Sequence, residues 1–95
     1  MSDLKLTVVS PTGGVGPVEC SSIHLFVSDG ENGSKGGSYG IRRGHSMAVF
    51  SLAKGKTDAF VDGNLVFSVE HEAGFAVVNN NTVKITVESY SELKV

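Results

Sequence analysis

The groups in this chain that could do chemistry are few, and their spacing tests each in turn. Cys20 and His24 stand four residues apart, which on one strand would put thiol and imidazole on the same face. A zinc centre needs about four ligands of this kind, and His45 and His71 stand at no spacing that completes the set. The expectation is a buried cysteine beside a packed histidine, with no metal. Glu70-His71-Glu72 has the composition of an acid–base group. No nucleophile lies at a useful spacing, so it reads as a solvated turn between strands. Gly14-Val15-Gly16 follows a strand, as a dinucleotide-binding turn would, but Pro17 and Glu19 occupy the places of the third glycine and the helix start. Gly30-Glu31-Asn32-Gly33-Ser34-Lys35-Gly36 lacks the Gly-Lys-Ser/Thr order of a phosphate loop, and no helix follows it. No catalytic residue and no cofactor site is readable.

One segment remains, Gly37-Ser38-Tyr39-Gly40-Ile41-Arg42-Arg43-Gly44-His45. Its glycines and charges are too many for a core strand, and its apolar residues too sparse for a helix. It reads as a shaped, exposed loop leading into a strand, the kind of place where a rigid scaffold carries its function. Tyr39 and Ile41 offer anchoring area and Arg42 can fork onto a carboxylate or carbonyl. His45 can hydrogen-bond through either ring nitrogen, and Gly40 and Gly44 would shape the backbone. The chemistry expected here is docking.

The elements that must position this segment are strands. Leu4, Leu6 and Val8 alternate with Lys5, Thr7 and Val9, a strand with one face inward. Residues 10–14 are turn chemistry, and Val15, Val18, Ile23 and Leu25 continue an extended stretch. Residues 29–37 form a Gly/Asn/Ser loop. Met47, Val49 and Leu52 mark a strand that ends at Lys54-Gly55. Asp62-Gly63 is a hairpin signal between residues 58–61 and 65–69, and Asn79-Asn80-Asn81 joins residues 74–78 to 82–87 in a second hairpin. Val83, Ile85 and Val87 share the inward face of the last of these. Only residues 89–94 suggest a helix, of at most one or two turns. The expected fold is all-β, an antiparallel β-sandwich of roughly eight to ten short strands.

Composition bounds the rest. Ninety-five residues, 40% hydrophobic, with a formal charge of −2, suit one ordinary globular domain with a modest core. A mildly acidic balance argues against nucleic acid, which needs a basic face. A single cysteine permits no internal disulfide and fits a reducing cytosol. Residues 1–5 lack a basic n-region followed by an apolar h-region, so no signal peptide is expected, and no run is long enough to span a bilayer, so any membrane association is expected to run through a protein partner.

Taken in order, Leu4-Lys5-Leu6-Thr7-Val8-Val9-Ser10-Pro11, the 37–45 segment, Leu52-Ala53-Lys54-Gly55 and residues 74–87 resemble the N-terminal β-sandwich domain of the epsilon subunit of F-type ATP synthases (delta in mitochondria). That family carries segments like "LxVVSP", "GxFGVLPGHAP", "LxPG" and "GGFVEVxNNxVTVLAD" in this order. The match runs over roughly residues 3–88, giving a domain at 1–88 and a tail at 89–95. Arg43, Met47 and Lys54 stand where the family has proline, which loosens the chain. Ser38 stands where many relatives carry an acidic residue facing the rotor ring, a role Asp29 or Glu31 could take over. The two C-terminal helices that regulate ATP hydrolysis in typical members have no counterpart in residues 88–95, so that regulation is not expected of this segment. The resemblance implies a non-catalytic rotor component, peripheral on the cytoplasmic face of the cell membrane. It would bind the gamma subunit and the c-ring through Ser38, Tyr39, Gly40, Ile41, Arg42, Gly44 and His45, without cofactor. A free-standing protein- or glycan-binding β-sandwich module is the alternative.

Overall fold

The computed structural model of the chain describes residues 3–28 and 37–95. The loop that holds Asp29 and Glu31 lies outside the described residues. Ten strands make up the rest: β1 (Leu4–Ser10), β2 (Gly13–Cys20), β3 (Ser22–Val27), β4 (Gly37–Arg42), β5 (Ala48–Leu52), β6 (Gly55–Val61), β7 (Asn64–His71), β8 (Gly74–Asn79), β9 (Thr82–Val87) and β10 (Tyr90–Leu93). Their hydrogen-bonded order is β10-β7-β6-β3-β5-β8-β9-β1-β2, with β4 attached to β3.

The hairpins form where turn chemistry requires them. Asp62 (φ 48) and Gly63 (φ 84) join β6 to β7, and Asn80 (φ 52) and Asn81 (φ 58) join β8 to β9. Both central residues of each turn are left-handed, the conformation that matches the twist of the flanking strands and that Asn, Asp and Gly tolerate best. Alternation along β1 sends Leu4, Leu6 and Val8 inward, and along β9 Val83, Ile85 and Val87, all nearly inaccessible.

The sheet curls into two layers because one edge of β3 is shared. Ser22–His24 pair with β6, whereas Val27 pairs with β5. One layer is therefore β4-β3-β6-β7-β10 and the other β5-β8-β9-β1-β2. Ile23, Leu25, Ile41, Ala59, Phe67 and Val69 of the first meet Leu52, Ala76, Val78 and the inward residues of β1 and β9 in one continuous core. That is a β-sandwich, as the alternation predicts.

Three expectations are corrected. The sheet is mixed, because β1 and β9 run parallel, in register from Lys5↔Thr82 to Val9↔Thr86. Alternation has the same period in both kinds of pair and does not reveal direction. Residues 90–93 are a strand, not a helical turn. β10 covers the outer edge of β7, pairing Tyr90 with His71 and Leu93 with Ser68. The faces of β5, which the sequence pattern leaves unassigned, place Phe50 and Leu52 inward and leave Met47 and Val49 74% and 69% exposed. His71, expected in a solvated turn, is buried at the end of β7. Its Nδ1 faces the Glu72 carbonyl at 2.9 Å and its Nε2 lies 2.8 Å from the Thr57 hydroxyl. A carbonyl only accepts, so Nδ1 carries the proton and Nε2 accepts from Thr57.

Two constraints lend themselves to measurement. Gly74 opens β8 opposite Val87, and a Cβ placed there would lie 2.1 Å from the Thr86 carbonyl oxygen and 2.8 Å from Val87 Cγ1. Gly74→Ala is expected to cost about 1–3 kcal/mol in denaturant unfolding, because backbone cannot yield as a flexible side chain would. Cys20 is fully inaccessible, and burial pushes its thiol from an ordinary 9.0 up to about 11. The stability that comes with the neutral buried thiol is complete below pH 9.0 and is lost as pH rises through about 11. Alkylation at pH 8 should run at least about a hundredfold slower in the folded protein than in the unfolded chain, because the smaller thiolate fraction adds to the loss of access.

Candidate functional site

The 37–45 segment is mostly strand. Residues 37–42 form β4, paired with β3 along its whole length from Ser22↔Arg42 to Val27↔Gly37. Residues 43–47 then cross to β5, and the crossing is held at several points. The His45 amide donates to the Arg42 carbonyl at 3.2 Å, making a tight turn. Gly44 sits at φ +81 in that turn, a left-handed conformation that glycine enters without Cβ strain. Its amide donates to Asn81 Oδ1 at 2.8 Å, and the Asn81 carbonyl accepts from the Lys5 amide at 3.0 Å. Asn81 thus ties the 43–45 turn, the β8–β9 turn and the start of β1 together. Arg43 adds an exposed pair with Asp3, Nη1 to Oδ2 3.7 Å, worth no more than about 1 kcal/mol in water.

Tyr39, His45 and Phe50 form an aromatic cluster at the mouth between β4 and β5. The rings of Tyr39 and Phe50 lie 4.7 Å apart, those of Tyr39 and His45 5.8 Å, and those of His45 and Phe50 6.1 Å. His45 Nδ1 is 2.8 Å from the Ser46 carbonyl, so it donates there, and Nε2 accepts from the Tyr39 hydroxyl at 3.3 Å. Tyr39 shares the inward face of β4 with Ile41 but stands at its open end and stays 41% exposed. The cluster closes the core on one side and shows a partly aromatic surface on the other.

Of the residues expected at the contact, Ser38, Tyr39, Gly40, Arg42 and Gly44 are exposed and His45 is half-buried. Ile41 is not available: it is fully buried opposite Ile23. Its place between Gly40 and Arg42 hides this in the sequence, because the inward parity of β4 is set by its pairing with β3. Sequence reasoning also missed Asn81 as a partner of Gly44, and Phe50 as the floor of the cluster. Both motifs were visible, 37 residues apart, but only the fold brings them together.

Ser38 Oγ hydrogen-bonds His24 Nε2, which pairs a hydroxyl with a base. His24 also stacks edge-on against Phe26, 5.5 Å between centroids. The pair lies on an open sheet face and lines neither of the two depressions described here. The larger depression, about 380 Å³, is an open apolar hollow beside Val9, Pro11, Gly74 and Phe75. Among the described residues no group of three His, Cys, Asp or Glu side chains could hold a metal ion. Nor is any helix there long and apolar enough to cross a membrane. The geometry offers a firm, partly aromatic and cationic end, suited to contact.

Asn81→Gly keeps the left-handed turn but removes the Oδ1 acceptor. It should cost about 1 kcal/mol and speed hydrogen exchange at the Gly44 amide while leaving the β6–β7 ladder unchanged. Equal exchange at Gly44 would remove Asn81 as the latch.

No family model matches the sequence, and no curated protein matches it. Solved structures do. A chain of the Euglena gracilis mitochondrial ATP synthase, from a structure of its OSCP, F1 and c-ring in rotational state 1, superimposes with a TM-score of 0.78 at 20% identity, over 97% of this chain and 54% of that one. A chain of the Tetrahymena thermophila mitochondrial ATP synthase, from a structure of its central stalk and c-ring, gives 0.71 at 17% identity, over 94% and 66%. This chain therefore spans between about half and two thirds of the length of those it matches. At such identity the likeness is one of fold, a β-sandwich that also occurs within ATP synthase assemblies.

Proposed function

We propose that this protein is a non-catalytic rotor component of an F-type ATP synthase, of the epsilon type, which joins the gamma subunit to the c-ring and helps couple ion translocation to ATP synthesis. The observation that carries the reading is a fold match over nearly the whole chain to chains in ATP synthase structures, together with the ordered segments at residues 4–11, 37–45, 52–55 and 74–87. Either alone would be weaker, since a sandwich fold hosts many functions.

In this role the contact is made by the end that carries Ser38, Tyr39, Gly40, Arg42, Gly44 and His45. Ile41 supports it from the core. Tyr39 and Phe50 supply desolvated area and Arg42 a forked donor, the residue types that concentrate binding energy at interfaces. The protein sits at the membrane periphery, on the cytoplasmic face of the cell membrane, through its partners.

Co-expression with the gamma and c subunits of the same organism is the test. The chain should come down with both. Tyr39→Ala combined with Arg42→Ala should weaken capture by about tenfold or more, and Arg42→Ala alone should weaken it without moving the melting temperature. A chain that ignores gamma and the ring and binds a glycan or peptide instead would overturn the reading.

A further inference from the structure

Strand β4 has one neighbour. It pairs with β3 throughout, and among the described residues nothing pairs with its other edge. The Ser28 amide donates to the Ser51 carbonyl at 2.9 Å, and the Ala53 amide donates to the Phe26 carbonyl at 3.0 Å. Those groups of β3 therefore point at β5, and Val27, between them, turns its own amide and carbonyl toward β4. Val27 pairs with Gly37, and two residues on Leu25 pairs with Tyr39. In an antiparallel ladder these groups alternate in side along the strand. Ser38 and Gly40 consequently direct their N–H and C=O away from β3, into the open edge.

Gly40 supports the same conclusion by a different route. It sits inside a strand, where glycine is unfavourable. Its φ is not among the positive values recorded for the backbone, and a Cβ built on it would meet nothing within 4 Å. Neither turn geometry nor crowding within this chain calls for glycine there. A glycine inside a strand often marks the place where another backbone comes close. Arg42 is exposed at the end of the same strand, with no ion pair recorded for it among the described residues. The edge also lacks the lysine, proline or bulge that usually keeps such an edge from pairing.

We infer that β4 is completed in the assembly by strand addition: an extended segment of the stalk partner lies along Ser38–Gly40 and places a carboxylate level with Arg42. This deepens the proposed function and rests on it. Main-chain bonds to Ser38 and Gly40 would supply the affinity, and the carboxylate the register. A second copy of this chain fits less well. Antiparallel self-pairing centred on Gly40 would set glycine against glycine, leaving the central pair without side chains to stabilise it, and would place the Arg42–Arg43 pairs of both copies along one two-stranded seam.

The experiment uses the chain and its co-expressed gamma subunit. Amide exchange on the free protein should be fast at Ser38 and Gly40 and slow in the complex, whereas Tyr39 should be slow in both. Gly40→Pro, which removes an outward N–H and spares the β3 ladder, should weaken gamma binding about tenfold or more, the loss expected for one or two unmade hydrogen bonds. Arg42→Glu should weaken it further and reverse its salt dependence, because salt then screens a repulsion. If gamma binds but Gly40→Pro binds equally and both amides keep exchanging, strand addition is wrong while the rotor reading stands. If wild type never binds gamma, both fall. A dimer that Gly40→Pro dissolves would assign the edge to a second copy and overturn the proposal.

Discussion

Strand β3 gives one of its edges to two different strands, β6 at Ser22–His24 and β5 at Val27. Those two strands follow one another in the chain, separated only by Ala53 and Lys54. Since both must use the same edge of β3, they leave it in different directions and the sheet is forced to fold over. Everything inward of that fold becomes shared core: Ile23 and Leu25 of β3 face Leu52 of β5 and the aliphatic rows of β8, β9 and β1. The Ser21 amide, which reaches the Phe60 carbonyl at 2.7 Å, extends the β3–β6 pairing by one residue beyond Ser22. The division also decides the fate of β4. With one edge of β3 doubly occupied, β4 takes the whole of the other, and among the described residues no further strand lies beside it.

Polar groups inside this core are few and paired. Among the described residues no buried side-chain nitrogen or oxygen lacks a hydrogen-bond partner. Thr57 and His71 satisfy each other across β6 and β7, and the backbone carbonyl of Glu72 accepts the hydrogen bond from the imidazole Nδ1–H. The arrangement leaves His71 no free nitrogen with which to act as a base, which explains its burial better than any chemistry would. Cys20 behaves as a small apolar residue whose thiol lies 3.8 Å from the Leu4 carbonyl. Both residues invite functional readings in a sequence, and both turn out to be packing with a hydrogen bond attached.

The parts of the fold that could be read in the sequence are those set by local physics. Asp62-Gly63 and Asn80-Asn81 announce their hairpins because few other residues adopt two successive left-handed conformations. The aliphatic rows of β1 and β9 are legible because one face of each is wholly buried. Legibility fails where a residue's environment is decided by a strand distant in sequence. Met47, Val49 and Leu52 mark a strand without fixing its faces, and it is pairing with β8 that sends Phe50 and Leu52 inward. β10 has too short a pattern to distinguish strand from helix, and the exposed edge of β7 decides it. Within the candidate site the exposure of Ser38, Gly40 and Arg42 was legible from their types. The burial of Ile41 and the reach of Asn81 to Gly44 depend on register, which no local pattern records.

The end proposed for docking belongs to both layers at once. β4 and Tyr39 are part of the β3 layer, whereas Gly44 is bonded to Asn81 and Arg43 pairs with Asp3, both at the end of the opposite layer. Phe50, beneath Tyr39, is on β5 and so belongs to that second layer too. A force applied at this end is therefore divided between two sheets that share one packed interior, and packed interiors compress little. A contact borne by a loop alone would bend at the loop. Under the proposed rotor role, where a torque must pass from one partner to another without being absorbed, anchoring the site across both layers is what makes a protein of ninety-five residues stiff enough to act as the link.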